Sequence, residues 1–158
     1  MEDKNAYVAK PSDICCLKGT IHEGESRGTF ETIAGVETYI VRPPEAKAND
    51  NILLYFPDVW GMFPNGLLIM DGFADAGYFV LGLDYFRGDP VWKHRKNRHD
   101  TTTDPIFDYE AWKRKHIAFA DEAVPPWVDA VKKLYGRDET KYACVGYVVF
   151  HDDHLDPL

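Results

Sequence analysis

The sequence contains few of the residues that most often act as catalytic nucleophiles. Its 158 residues include only two serines, Ser12 and Ser26, both in a polar stretch near the start of the chain. Neither serine lies in a Gly-x-Ser-x-Gly segment, the motif that presents a catalytic serine on a sharp strand-to-helix turn. A serine triad is therefore not expected.

Cysteine is also scarce, and its three occurrences do not suggest disulfide bonds. Cys15 and Cys16 are adjacent and Cys144 is the third, so the total is odd. This pattern gives no disulfide framework and fits a reducing compartment. Cys144 stands within the strand-like segment "KYACVGY", spaced to face a packed layer. We therefore expect it to be a buried small side chain and not a reactive thiolate.

Long hydrophobic runs and an excess of positive charge are both missing. No stretch approaches the roughly 18 apolar residues of a membrane span, and "MEDKNAYVAK" lacks the apolar core of a signal peptide. With 18 Lys and Arg against 26 Asp and Glu, the net charge of -8 disfavours binding to nucleic acid or anionic membranes. We expect a cytoplasmic protein whose partners are small molecules or other proteins.

The apolar residues, 45% of the chain, are sufficient for one globular core. "GTFETIAGVETYIVRPP" predicts a β-hairpin that turns at Ala34-Gly35. "ILLYFP" is a continuous apolar run, typical of a parallel strand that is covered on both faces. A helix that starts at Pro64 and stops at Gly77 separates it from a second such strand, "YFVLGLDYF", which gives a βαβ unit.

The second half of the chain predicts further elements of the same α/β fold. Residues 88–105 have no sustained apolar period and predict a surface loop, which includes the short basic run "KHRKNRH". Two helices are expected over residues 106–121 and 125–135, followed by the strand "KYACVGY". The predicted apolar faces contain Tyr109, Trp112, His116 and Ala120 in the first helix, and Trp127, Val131 and Leu134 in the second. The whole predicts a mostly parallel sheet with flanking helices.

The loop after "ILLYFP" is the first candidate site. Open α/β sheets bind ligands at the carboxyl ends of their strands, so Asp58 and the backbone N–H of Val59 could face a substrate there. The alternative is that Asp58 only caps the turn into the next helix. Trp60 and Phe63 are interpreted as packing residues.

"LDYFRGDP" places Asp84, Arg87 and Asp89 just beyond the next strand, at the same edge. A guanidinium in this position could hold a carboxylate in a bidentate grip. The alternative is a salt bridge within the loop between Arg87 and Asp84 or Asp89, and the two roles are compatible.

No metal or other cofactor is expected. The chain contains two groups of potential ligands, and neither has the paired spacing of an established zinc motif. They are Cys15, Cys16 and His22 near the start of the chain, and His151, Asp152, Asp153 and His154 near its end.

Three segments together resemble the dienelactone hydrolase family, enzymes of the α/β-hydrolase fold that open lactones and related esters. These segments are "YFPDVWG", "DAGYFVLGLDYFRGDP" and "VGY", in this order and spacing, and "CCLKGTIHEGESRG" is similar to the start of one branch of the family. The resemblance extends from about Cys15 to Tyr147. It implies a partial α/β-hydrolase domain over residues 28–147, preceded by an irregular segment 1–27 and followed by a divergent tail 148–158.

The resemblance implies substrate-binding roles for three residues. Asp58 matches a position that usually holds a glutamate in contact with the resting nucleophile, and Val59 matches the donor of one oxyanion-hole N–H. Arg87 is similar to the arginine that binds the substrate carboxylate. The sequence departs from the family at Val148, which stands where the cysteine nucleophile follows Gly-Tyr. No catalytic residue is therefore assigned.

The expected function is that of a lactone or ester hydrolase by resemblance, in a form that is inactive by itself. Without the cysteine, the Gly-rich turn after it, and the later Asp and His of the triad, hydrolysis is not expected from this chain. The alternative is a protein without catalytic activity that binds a small carboxylate or has a regulatory role. The open edge of the sheet could also mediate association with a partner.

Overall fold

The computed structural model describes residues 23–95 and 106–146. These residues form one five-stranded sheet with two α-helices and two short 3-10 turns. The elements, in chain order, are β1 (Thr29–Ile33), β2 (Val36–Val41), a 3-10 turn (Glu45–Lys47), β3 (Ile52–Phe56), α1 (Pro64–Asp75), β4 (Phe79–Leu83), a second 3-10 turn (Val91–Lys93), α2 (Tyr109–Tyr135) and β5 (Tyr142–Gly146).

The first two strands form the predicted hairpin. Ile33 pairs with Val36, so only two residues, Ala34 and Gly35, make the turn. Both have positive φ angles, 48° and 80°, as a tight hairpin of this length requires. Glycine adopts such angles readily and alanine does not, which explains the Gly at the second position.

The sheet has the strand order β1-β2-β4-β3-β5. β2 is antiparallel to both of its neighbours, whereas β3 pairs in parallel with β4 and β5. It follows that four of the five strands share one direction, and that β2 runs against them. This is the expected α/β sheet, mixed in its pairings and consistent with an incomplete α/β-hydrolase fold. β3 lies inside the sheet, and Ile52–Tyr55 is buried without interruption, as its continuous apolar sequence predicts.

α1 connects β3 to β4 and forms the predicted βαβ unit. It begins at Pro64, where the missing N–H needs no helical partner, and Gly77 follows its end with φ 105°. Met70 and Ala74 are fully buried against the face of the sheet that contains Leu53, Tyr55 and Val80. A side chain at Gly82 would collide with the sulfur of Met70, so a glycine there permits the close approach of helix and sheet.

α2 covers the other face of the sheet, and it corrects the prediction of two helices. It is continuous over 27 residues, with Pro125 and Pro126 in its interior. A proline removes a helical hydrogen bond and crowds the preceding turn. Both prolines are on the exposed side, while Ala123 and Trp127 are buried on either side of them. Packing of this buried side against the sheet stabilises the helix across the prolines.

Two burial predictions at the end of the described chain are wrong. Leu134 is 61% exposed and does not belong to the buried face of α2. Cys144 is exposed, although it faces the same side of the sheet as its register partner Leu54. Within the described residues β5 pairs only with β3, and α2 packs over β2, where Trp127 donates a hydrogen bond to Thr38. The end of the helix contacts Tyr142 on this face of β5, through Lys132, but leaves Cys144 exposed.

Candidate functional site

The candidate site is formed by two loops at the carboxyl ends of β3 and β4. These strands are parallel neighbours, so the loops that follow them meet at one edge of the sheet. The backbone N–H of Val91 donates to the C=O of Val59 over 2.9 Å, and the buried Tyr85 hydroxyl donates to the C=O of Pro57. Gly61 lies directly against Pro90. These contacts bring the Asp58–Val59 loop and the Arg87 loop together.

Asp58 shapes its own loop and does not cap α1. Its side chain accepts a hydrogen bond from the N–H of Trp60 over 2.9 Å, and its C=O accepts one from Gly61. α1 begins later, after Phe63, without a side-chain cap. The alternative role of Asp58, as a cap for the turn that leads into α1, is therefore confirmed, while its ligand-binding role stays a prediction. Trp60 packs against the core as predicted, and Phe63, although 38% exposed, packs against the rings of Trp60 and Trp92.

The electrostatics of this loop keep Tyr85 neutral. Burial strongly raises the pKa of the Tyr85 phenol, and the neighbouring Asp58 carboxylate raises it further. The phenol consequently remains a hydrogen-bond donor, here to Pro57. Within the described residues, the backbone hydrogen bonds of the loop leave the Val59 N–H without a protein acceptor. A donor of this kind could bind the oxygen of a ligand.

Arg87 lies in a tight turn that is organised by Asp84. The buried carboxylate of Asp84 accepts hydrogen bonds from the backbone N–H groups of Phe86 and Gly88, at 3.0 and 2.7 Å. The N–H of Asp89 closes the turn onto the C=O of Phe86 over 2.9 Å. Arg87 and Gly88, the two central residues, both have positive φ angles, 55° and 69°. Such a backbone is unfavourable for arginine and is often found at functional positions.

The predicted salt bridge within this loop is not formed. Asp84 bonds to backbone N–H groups, and the Asp89 carboxylate is paired with His94, Lys115 and His116. Within residues 23–95 and 106–146, the exposed Arg87 guanidinium has no carboxylate partner. It lies over the ring of Phe119 on α2, with Cζ 4.9 Å from the ring centroid. The charge of Arg87 is thus available to a ligand, and its substrate-binding role stays a prediction.

Asp89 has a structural role that the sequence patterns do not reveal. Burial tends to raise the pKa of its carboxyl, but hydrogen bonds from Lys115, His94 and His116 lower the pKa to about 2. Its position after β4 and the place of His116 on the buried face of α2 are visible in the sequence. What the sequence does not show is that these segments meet.

Several candidate residues lie outside the described ranges. They are Val148, at the expected nucleophile position, and both groups of potential metal ligands: Cys15, Cys16 and His22, and His151, Asp152, Asp153 and His154. In the part of the chain that is described, no group of three or more His, Cys, Asp or Glu side chains is arranged to hold a metal ion. There, His94 and His116 bond directly to Asp89. In the same part of the chain, neither helix is long and apolar enough to cross a membrane.

Two curated fungal proteins match most of the chain. "Dienlactone hydrolase 2" of Gibberella moniliformis is 48% identical over 141 residues, which cover 89% of this chain and 59% of the relative. "Dienlactone hydrolase 1" of the same fungus is 44% identical over 149 residues, which cover 93% and 56%. The chain belongs to the dienelactone hydrolase family. This confirms the family that the sequence motifs indicate.

The match to the dienelactone hydrolase family does not extend over the full length of these relatives. The chain spans a little more than half the length of each of the two. A more distant relative, "Hydrolase pyvD" of Aspergillus violaceofuscus, is 32% identical over 122 residues, which cover 77% of this chain and 43% of that protein. No protein-family model matches the chain.

Proposed function

We propose that this chain is a dienelactone hydrolase-like domain that binds a small carboxylate-bearing lactone, ester or acid at the carboxyl edge of β3 and β4. The Arg87 guanidinium binds the carboxylate, and the Val59 N–H and Asp58 lie on the adjoining loop. One observation carries the proposal: the guanidinium has no carboxylate partner within the described residues, and its backbone adopts an unfavourable conformation at this edge. Positive charge suits an anionic ligand, and Arg can bind a carboxylate with two parallel hydrogen bonds.

The binding proposal is tested by NMR titration of the protein with sorbate, a small dienoic carboxylate, and with benzoate. We expect weak, saturable binding, and we expect Arg87→Ala to abolish it. Arg137→Ala is the matched control, because Arg137 is also exposed but precedes β5, at the opposite edge of the sheet. Equal affinity in wild type and Arg87→Ala would overturn the assignment of the site.

The second part of the proposal is that this chain does not hydrolyse what it binds. Its support is the identity of Val148, which has no nucleophilic or ionisable atom where the resembling enzymes have cysteine. The purified chain should cleave activated esters and dienelactones no faster than a buffer control that contains the same concentration of free thiol. Turnover that survives Cys144→Ala would show that an unassigned nucleophile is present. Turnover that Cys144→Ala abolishes would identify the exposed thiol as that nucleophile.

The alternative is a binding or regulatory protein without a catalytic role, and the exposed guanidinium is compatible with it. Binding without turnover favours this alternative, and binding with turnover favours the hydrolase. The proposed partners in both cases are small molecules, not nucleic acid or membranes. Association through the edge of β5 is also proposed, since β5 pairs only with β3 in the described structure.

A further inference from the structure

Asp89 connects the Arg87 loop to α2 through one carboxylate with three donors. Its Oδ1 lies 2.7 Å from His94 Nε2, and its Oδ2 lies 2.8 Å from Lys115 Nζ and 3.3 Å from His116 Nε2. The backbone C=O of Asp89 also accepts a hydrogen bond from Trp112 Nε1 over 2.8 Å. We refer to Asp89, His94, Lys115 and His116 as the Asp89 cluster.

The hydrogen-bonding state of His116 follows from the charge of Asp89. An ionised carboxylate only accepts hydrogen bonds, so His116 Nε2 must carry a proton. Burial lowers the pKa of His116 more strongly than Asp89 and the Tyr85 backbone carbonyl raise it, which favours the neutral ring. Its Nδ1 is buried against the rings of Phe86 and Trp112 and makes no hydrogen bond of good geometry within the described residues. An unsatisfied buried nitrogen is unfavourable.

The contacts of the loop follow one face of α2. Trp112, Lys115, His116 and Phe119 recur at the three- and four-residue spacing of a single helical stripe. Trp112, Lys115 and His116 bond to Asp89, and Phe119 lies beneath the guanidinium of Arg87. Both ends of the unit Arg87-Gly88-Asp89 are therefore held on the same stripe, with the Asp89 end held by hydrogen bonds.

We propose that Asp89 is a positioning residue, which, through His94, Lys115 and His116, fixes the Arg87 turn against α2 and so holds the guanidinium at the ligand-binding edge. Asp89 itself does not contact the ligand. The proposal rests on the proposed function in one respect, the assignment of Arg87 as the residue that binds a carboxylate. It accounts for the buried His116, whose ring supplies one of the three donors.

The effect of Asp89→Asn on anion binding distinguishes positioning from simple electrostatics. Asp89 is two residues from Arg87, so removal of its negative charge alone would make the surroundings of the guanidinium more positive and strengthen the binding of an anion. Loss of positioning has the opposite effect. We expect sorbate to bind Asp89→Asn about tenfold more weakly than wild type. This is the smallest effect usually found when a residue that orients a binding group is replaced, as known from metal sites. Asp138→Asn, an exposed change of the same charge after α2, is the control.

A milder variant keeps the test decisive if Asp89→Asn does not fold. His94→Phe retains an aromatic ring to stack on Phe107, where the two rings are 4.2 Å apart, but removes the donor to Asp89. At pH 8, His94→Phe should also bind sorbate more weakly than wild type does. Asp89→Glu, which keeps the carboxylate, should bind sorbate more tightly than Asp89→Asn. If Asp89→Asn and His94→Phe both bind sorbate as tightly as wild type, or more tightly, the proposal is overturned.

A measurement without ligand separates the failure of this proposal from that of the proposed function. The order parameter of the Gly88 amide and the nuclear Overhauser contacts between Arg87 and the Phe119 ring report how firmly the turn is held. We expect both to decrease in the folded Asp89 or His94 variant but not in Asp138→Asn. If wild type does not bind sorbate, Arg87 is not the proposed ligand-binding residue, and this measurement still decides whether Asp89 fixes the turn. Unchanged values would overturn the positioning role.

Discussion

The guanidinium of Arg87 lies over the ring of Phe119, 4.9 Å from Cζ to the ring centroid, while the backbone of Arg87 adopts a φ of 55°. An exposed contact of this kind contributes about 0.5–1 kcal/mol. The left-handed backbone costs a non-glycine residue roughly 1–2 kcal/mol. The contact with Phe119 therefore does not by itself offset the strain, and this supports a role for Arg87 beyond stability.

The strain at position 87 is tested by comparing two substitutions that both remove the guanidinium. Arg87→Gly should be more stable than Arg87→Ala, by up to about 1 kcal/mol, because glycine has no Cβ to clash with the backbone at a positive φ. Urea unfolding of the two variants gives this difference directly, since the loss of the Phe119 contact is common to both. An Arg87→Ala variant that is the more stable of the two would show that the turn is not strained at this residue.

The hydroxyl of Tyr39 joins three parts of the fold. It donates to Asp71 Oδ1 on α1 over 2.7 Å and accepts the N–H of Gly28 over 2.6 Å. Tyr39→Phe leaves the buried Asp71 short of one donor and the Gly28 N–H without its acceptor, so it should destabilise the protein by about 1–3 kcal/mol. Thermal and urea unfolding measure the loss.

Tyr135→Phe is the matched control for this change. The Tyr135 ring packs edge-on against Phe79, and within the described residues its hydroxyl makes no hydrogen bond. The control should remain within about 0.5 kcal/mol of wild type. An equal loss in both variants would mean that the Tyr39 hydroxyl has no special role in joining β2 to α1.

The thiol of Cys144 should react in the folded protein. It is exposed on β5, so a thiol reagent can reach it without unfolding. In a Cys15→Ser/Cys16→Ser variant, where Cys144 is the remaining cysteine, we expect labelling at a rate that is independent of sub-denaturing urea. Labelling that accelerates as urea rises would show that Cys144 is protected by structure, as the sequence alone predicts.

Local sequence patterns predict the elements whose causes are local. The Ala34-Gly35 hairpin, the apolar strand Ile52–Phe56 and the helix between Pro64 and Gly77 follow from turn chemistry, apolar continuity and helix-end preferences. The same patterns place Asp58 and Arg87 beyond parallel strands. Because β3 and β4 are neighbours, their loops meet.

Features that depend on distant contacts are not predicted in the same way. Pro125-Pro126 indicates a break, yet burial of Ala123 and Trp127 against the sheet maintains one helix. The exposure of Cys144 depends on which strands α2 covers. The pairing of Asp89 with His116 joins residues 27 positions apart, and no local pattern specifies it.

His116 should make the stability of the protein depend on pH in a defined direction. Burial lowers its pKa in the folded state from 6.5, so folding favours the neutral ring, while the unfolded chain binds a proton near pH 6.5. The stability associated with the neutral ring is complete above pH 6.5 and is lost as the pH falls from 6.5 through the lower folded-state pKa. Asp89 stays ionised throughout this range, since its pKa is about 2.

Urea unfolding of wild type and His116→Gln between pH 7.5 and 5 tests this pH dependence. The variant should be less stable at pH 7.5, because the ring contacts are gone, but it should lose less stability than wild type as the pH falls. Parallel stability curves for the two proteins would mean that His116 binds its proton equally well in the folded and unfolded states, contrary to its burial against Phe86 and Trp112.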